Sequence, residues 1–130
     1  MDLKEKNVQD NELQKRLFKF AVDVIRILRK LGDSSDLRSV KFQLTKSAGS
    51  SGANYEEAQA AESRIDFGHK VNISLKEMRE SNYWLRLLAA IYPENIELKL
   101  LVNESRELKL ILGSIRAKLR AVRKDKFLSK

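Results

Sequence analysis

The stretch Ser47 to Ala58, SAGSSGANYEEA, decides how the chain is read. Its first half is built from small residues, so it is either a flexible joint or an unusual piece of helix. A joint would lose the hydrophobic phase of its neighbours, whereas a helix keeps it. From Leu37, Val40 and Leu44, steps of three and four lead to Ala48, Ser51, Tyr55 and Ala58 without a break. Gly49 and Gly52 each cost about 1 kcal/mol relative to alanine in a helix. A face of Gly, Ala and Ser admits another backbone unusually closely, which offsets that cost. The spacing therefore predicts one helix over 35–62 with a small-residue waist.

The same periodicity extends outward. Leu13, Leu17, Phe20, Val24, Ile27 and Leu31 place a helix over 11–31, with Gly32 where a C-terminal cap is expected and Ser34, Ser35 or Asp36 as N-cap candidates for the next. Val71, Leu75, Met78, Leu85 and Ala89, with Asn82 as a polar member, define a helix over 63–91 that YPEN at 92–95 ends. Leu98, Leu101, Ser105, Leu108, Leu112, Ile115, Leu119 and Val122 define a helix over 94–122, followed by a basic tail, 123–130, expected to fray. Four long helices joined by links of a few residues must fold back as neighbours. The expectation is all-α: a single domain, 1–130, forming an antiparallel up-down-up-down four-helix bundle. With 130 residues the chain can bury a real core without staples.

The formal net charge is +8, which favours polyanionic partners without identifying one. On the first helix Lys15, Lys19, Arg26, Arg29 and Lys30 fall within roughly 100° of one another, opposite the core stripe. On the last helix Arg106, Lys109, Arg116, Arg120 and Lys124 run beside the core stripe, prolonged by Arg123 and Lys126. Two readings stand: solvated helix faces, or a phosphate-binding surface made where the first and last helices meet. Few aromatic residues interleave these charges, so contact with the backbone of a folded RNA or a duplex is favoured over base stacking.

Apolar residues beyond the core stripes point to an interface. Phe18, Val22 and Ile25 form a second line on the first helix, and Tyr83, Trp84, Leu87, Leu88 and Ile91 crowd the end of the third. Homo-oligomerisation explains them, the alternative being a wide core. No enzyme chemistry stands out. The chain has no cysteine and a single histidine, His69, which excludes thiolate catalysis, thiolate metal sites and a di-iron bundle. His69 follows Asp66 by three residues and shares its helix face, which suits a surface or inter-helix hydrogen bond rather than a metal site. Asn54, Glu57, Lys70, Glu77 and Glu80, with Glu62, could gather between the second and third helices, as a structural polar network more readily than as a catalytic carboxylate pair. The expectation is a protein with no enzymatic activity, no metal and no cofactor. The N-terminal residues MDLKEKNVQDNELQ include no apolar signal segment, and no run approaches the roughly 18 apolar residues of a membrane span. A soluble, cytoplasmic protein with no membrane partner is expected.

The run from Ser47 to Leu88 resembles the signature of a bacterial family of small four-helix-bundle proteins that includes those encoded in intervening sequences of 23S ribosomal RNA genes. The accessory variability proteins of diversity-generating retroelements are similar to it in fold. The resemblance lies in the small residues leading to Ala53, Asn54 and Glu57, in Ser63, Asp66, Phe67 and Lys70, and in Leu75, Lys76, Glu77, Glu80, Tyr83, Trp84 and Leu85. It covers the whole chain as a fold and about a third of it as motif. It implies a homopentamer whose basic surface contacts nucleic acid, and in the retroelement branch a reverse transcriptase as partner. No feature assigns the chain to that branch. The favoured function is RNA or DNA binding through phosphate contacts; the alternative is a protein–protein adaptor docking an acidic partner or a reverse transcriptase–RNA complex.

Overall fold

The computed structural model describes the backbone of residues 3–128 and the side chains of 12–122. Four helices, α1 (Leu3–Leu28), α2 (Ser35–Gln59), α3 (Arg64–Ile91) and α4 (Ile96–Leu128), follow one another with no strand among the described residues. Each packs against its sequence neighbours and α1 closes on α4, while among the described residues the backbones of the diagonal pairs do not come within 8 Å at Cα. The expected bundle is present. Among the described residues the α2–α3 pair is the most extensively packed and α1–α4 the least.

The helix ends differ in detail from the periodicity. α1 stops at Leu28, and Lys30 and Leu31 close tight turns onto the Ile27 and Leu28 carbonyls. Gly32 therefore lies outside the cap, and no glycine among the described residues has a positive φ. At the start of α2 the Ser34 hydroxyl does not cap. It donates instead to Asp36, whose carboxylate also accepts from the Leu37 N–H and is held below the usual range by these bonds. α3 begins in a capping arrangement: the Ser63 hydroxyl accepts from the Asp66 N–H at 3.0 Å, with Asp66 favourably placed in the first turn. Asn95 caps α4 by accepting from the Leu98 N–H at 2.9 Å. α4 runs on to Leu128, through most of the stretch expected to fray.

The core contains Leu17, Phe20, Val24, Leu44, Tyr55, Val71, Leu75, Met78, Leu85, Leu88, Leu98, Leu108 and Leu112. Val122 is not part of it: at 42% exposure it has run past the end of the core. The waist of α2 is real, and serine rather than glycine forms its contact with α3. The Ser51 hydroxyl donates to the Ser74 carbonyl at 2.8 Å and the Ser74 hydroxyl donates to the Ser51 carbonyl at 2.7 Å, while the Ser47 and Ser81 hydroxyls share a hydrogen bond of 2.8 Å. Side chains this short, bonded to the opposite backbone, hold the two helices close. Gly52 faces α1 instead, where an added Cβ would sit 3.5 Å from Leu17 Cβ; nothing lies near Gly49, whose place in the sequence packing does not explain.

Candidate nucleic-acid interface

The two flanks of α4 carry opposite charge. On the α1 side, Arg16 donates to both carboxylate oxygens of Glu104, at 2.8 and 2.6 Å, and also to Glu107; Lys30 reaches Glu97 at 3.2 Å. The bond to Glu104 leads the effects that raise the Arg16 pKa above its ordinary value, against the opposing pull of partial burial. This seam uses carboxylates of α4 to neutralise cations of α1.

The other flank of α4 is basic and faces α3. Arg116 donates to Asn72 Oδ1 at 3.4 Å, and Leu119 lies beneath Gly68. Between the helices runs an open groove of about 520 Å³. Among the described residues α3 lines it with Arg64, Ile65, Gly68, His69 and Asn72, and α4 with Arg116, Leu119, Arg120 and Val122, none of them a carboxylate. Partial desolvation, then the proximity of Arg120 and Arg79, pushes the Arg116 pKa down, the direction expected where cations gather without counter-charges. The guanidinium remains charged nonetheless.

The expected surface at the α1–α4 junction is thus divided. Lys15 pairs with Glu12 at 3.8 Å, Lys19 with Asp23 at 2.6 Å and Lys30 with Glu97, while Arg26 and Arg29 are exposed. A smaller groove of about 360 Å³ at this junction includes Lys19, Arg26 and Lys30 but also Asp23, Glu97 and Glu104, so its charge is mixed. Arg106 is exposed and Lys109 half-buried; Arg123 and Lys124 fall outside the residues whose side chains are described, as does Lys126. Sequence reasoning missed Arg64 and Arg79, which the fold brings to the α4 row from α3. Their signal was present: Arg64, Asn72, Arg79 and Arg86 recur at helical spacing along one side of α3.

The other predicted groups are scattered. Phe18 is 72% exposed and Ile25 38%, with Val22 half-buried beside them; α2 also exposes Phe42, at 66%. Tyr83 is exposed, but Trp84 packs against the core and Leu88 is fully within it, so these two are not surplus; Leu87 is half-buried. Trp84 Nε1 donates to Glu80 at 3.2 Å, and the Tyr83 and Trp84 rings meet edge to face at 5.0 Å. The anticipated polar cluster is a series of separate contacts: Lys70 with Glu57 at 3.0 Å, and Asn54 with the Ser50 carbonyl at 2.8 Å. Burial and then Glu80 push the Glu77 carboxyl up. His69 lines the basic groove rather than bonding Asp66. No metal-binding group of His, Cys, Asp and Glu occurs among the described residues, and none of their helices is long and apolar enough to cross a membrane.

The fold has known relatives. A crystal structure of a protein of unknown function from the S23 ribosomal protein family of Bacteroides thetaiotaomicron is similar, with a TM-score of 0.74 and 35% identity, covering 83% of this chain and 97% of that one. Comparison with curated proteins gives no match. The family model for 23S rRNA-intervening sequence proteins matches residues 9–114, a span holding most of all four helices and ending just before Arg116. The chain belongs to the 23S rRNA-intervening sequence protein family.

Proposed function

We propose that the protein is a non-enzymatic, self-associating helical bundle of the cytoplasm that binds nucleic acid, RNA in preference to DNA, through phosphate contacts in the α3–α4 groove. The observation that carries this reading is the convergence of Arg64, Arg116 and Arg120 on one groove that, among the described residues, no carboxylate lines. Guanidinium groups match phosphate oxygens in geometry and stay charged, so such a groove recognises a polyanion without reading its sequence. Self-association covers Phe18, Val22 and Ile25, and the pentamer implied by the family resemblance repeats each groove around a ring. Repetition raises effective concentration and makes weak phosphate contacts cumulative.

Fluorescence anisotropy with a labelled, structured RNA tests the binding. Affinity is expected to fall steeply from low to physiological salt. Reversal of Arg64, Arg116 and Arg120 to glutamate is expected to abolish binding without loss of helical circular dichroism. Binding indifferent to salt, or retained by the reversed protein, refutes the reading. Light scattering tests the assembly separately, and a monomer at micromolar concentration removes the role given to Phe18, Val22 and Ile25.

A further inference from the structure

The α3–α4 groove has a floor that phosphate binding alone leaves unused. Ile65 is 71% exposed and Val122 42%, and Gly68 and Leu119, both half-buried, line the groove with them as its apolar part. An added Cβ at Gly68 would lie 3.8 Å from Leu119 Cδ1, an ordinary contact, so the glycine relieves no clash and leaves the leucine methyl without a side chain packed on it from that position. A duplex keeps its bases stacked inside and offers phosphates from a broad convex surface. Bound here, it would reach the arginines and leave the floor wet. A single strand can instead turn a base into the groove while its flanking phosphates meet the arginine rim.

Resting on the nucleic-acid reading above, we infer that this groove seats an unstacked base of single-stranded RNA, with Ile65 and Leu119 against its face and Arg64, Arg116 and Arg120 on the adjoining phosphates. Asn72 and His69 stand at the same groove with hydrogen-bonding groups for a base edge or ribose hydroxyl. The charge argues against an apolar peptide as occupant, and the apolar floor gives a phosphate rod nothing to cover.

The test compares a labelled oligouridylate, the same strand carrying abasic sites, and an RNA duplex of equal length, all at one low salt concentration. The oligouridylate is expected to bind about fivefold or more tightly than either of the others, which corresponds to removing about 40 Å² of apolar surface from water on an aliphatic floor. Gly68→Leu covers Leu119 and is expected to cost the strand several-fold more affinity than the duplex, closing the gap between them. Should Gly68→Leu fail to fold, Ile65→Ser carries the test, because Ile65 is exposed and its loss leaves the core intact. Equal affinity for all three probes, or a uniform loss across them in either variant, overturns the base seat while leaving phosphate binding standing. No binding to any probe overturns both. An oligoglutamate that competes as well as the oligouridylate assigns the groove to an acidic protein segment and overturns the inference.

Discussion

Replacing Arg116 and Arg120 together by alanine is expected to flatten the salt dependence of nucleic-acid binding, whereas replacing Lys15, Lys19 and Lys30 is not. The magnitude follows from counterion release. Each phosphate neutralised on a single strand contributes about 0.7 to the slope of log affinity against log salt. If Arg64, Arg79, Arg116 and Arg120 each meet one phosphate, the slope per chain is about −2.8, which is roughly a 50-fold loss of affinity between about 50 and 200 mM salt. Without Arg116 and Arg120 the slope is about −1.4 and the loss only about sevenfold. On α1 the three lysines already face carboxylates, Glu12 at 3.8 Å, Asp23 at 2.6 Å and Glu97 at 3.2 Å, so a phosphate would have to displace an existing partner. Anisotropy titrations over a salt series measure both slopes, with thermal unfolding as the control for folding. A slope that drops for the lysine variant and stays at its wild-type value for the arginine variant would refute the assignment to α3 and α4.

Three further outcomes test the framework that holds the groove. Ser51→Ala should cost about 1 kcal/mol for its lost hydrogen bond, whereas Ser51→Val should cost about 3 kcal/mol or more because a methyl must enter where a hydroxyl sits 2.8 Å from a carbonyl; urea unfolding resolves the difference, and equal costs would mean α2 and α3 are not held at contact. Gly49→Ala should stabilise by about 1 kcal/mol and raise the unfolding midpoint by roughly 4 °C in calorimetry, since the site is helical and open. Glu77→Gln should stabilise the protein at pH 7. The folded state raises this carboxyl above its usual 4.5, so ionised Glu77 opposes folding as pH climbs through and beyond that value. The advantage of glutamine should vanish below about pH 4 in chemical unfolding followed across pH.

The periodicity of apolar residues carried nearly all of the fold, because a seam such as Leu44, Ala48, Ser51 and Tyr55 survives whatever the neighbouring helix is. It did not carry the handedness of the bundle. A helical projection shows that Arg116 and Arg120 flank the core stripe of α4, but whether that flank meets α1 or α3 depends on which way the helices turn about the axis. Charge complementarity could have chosen. Glu97, Glu104 and Glu107 occupy the opposite flank and suit Arg16 and Lys30 of α1, leaving the basic flank for α3. Serine contacts such as Ser51 with Ser74 were legible only as small size, since reciprocal hydrogen bonds need a register that composition does not fix. The Gly32 cap failed for a local reason: α1 closes in tight turns after Leu28, before the glycine is reached.

The segregation of charge on α4 also bears on why the groove exists. Acidic residues toward α1 stabilise a seam that is otherwise the least packed of the four, so that flank serves the fold. The basic flank does the reverse. It faces Arg64 and Arg79 of α3, and the α3–α4 contact is already secured by the core and by the buried hydrogen bond from Asn82 to Ser105 at 2.9 Å. Desolvation, then the nearby Arg120 and Arg79, push the Arg116 pKa down, so nothing on this flank rewards the folded state for its charge. Gathered cations with no described counter-charge are the kind of departure from fold consistency expected where a ligand binds. A bound polyanion removes the repulsion, and the same groove should therefore hold its helices more firmly when occupied than when empty.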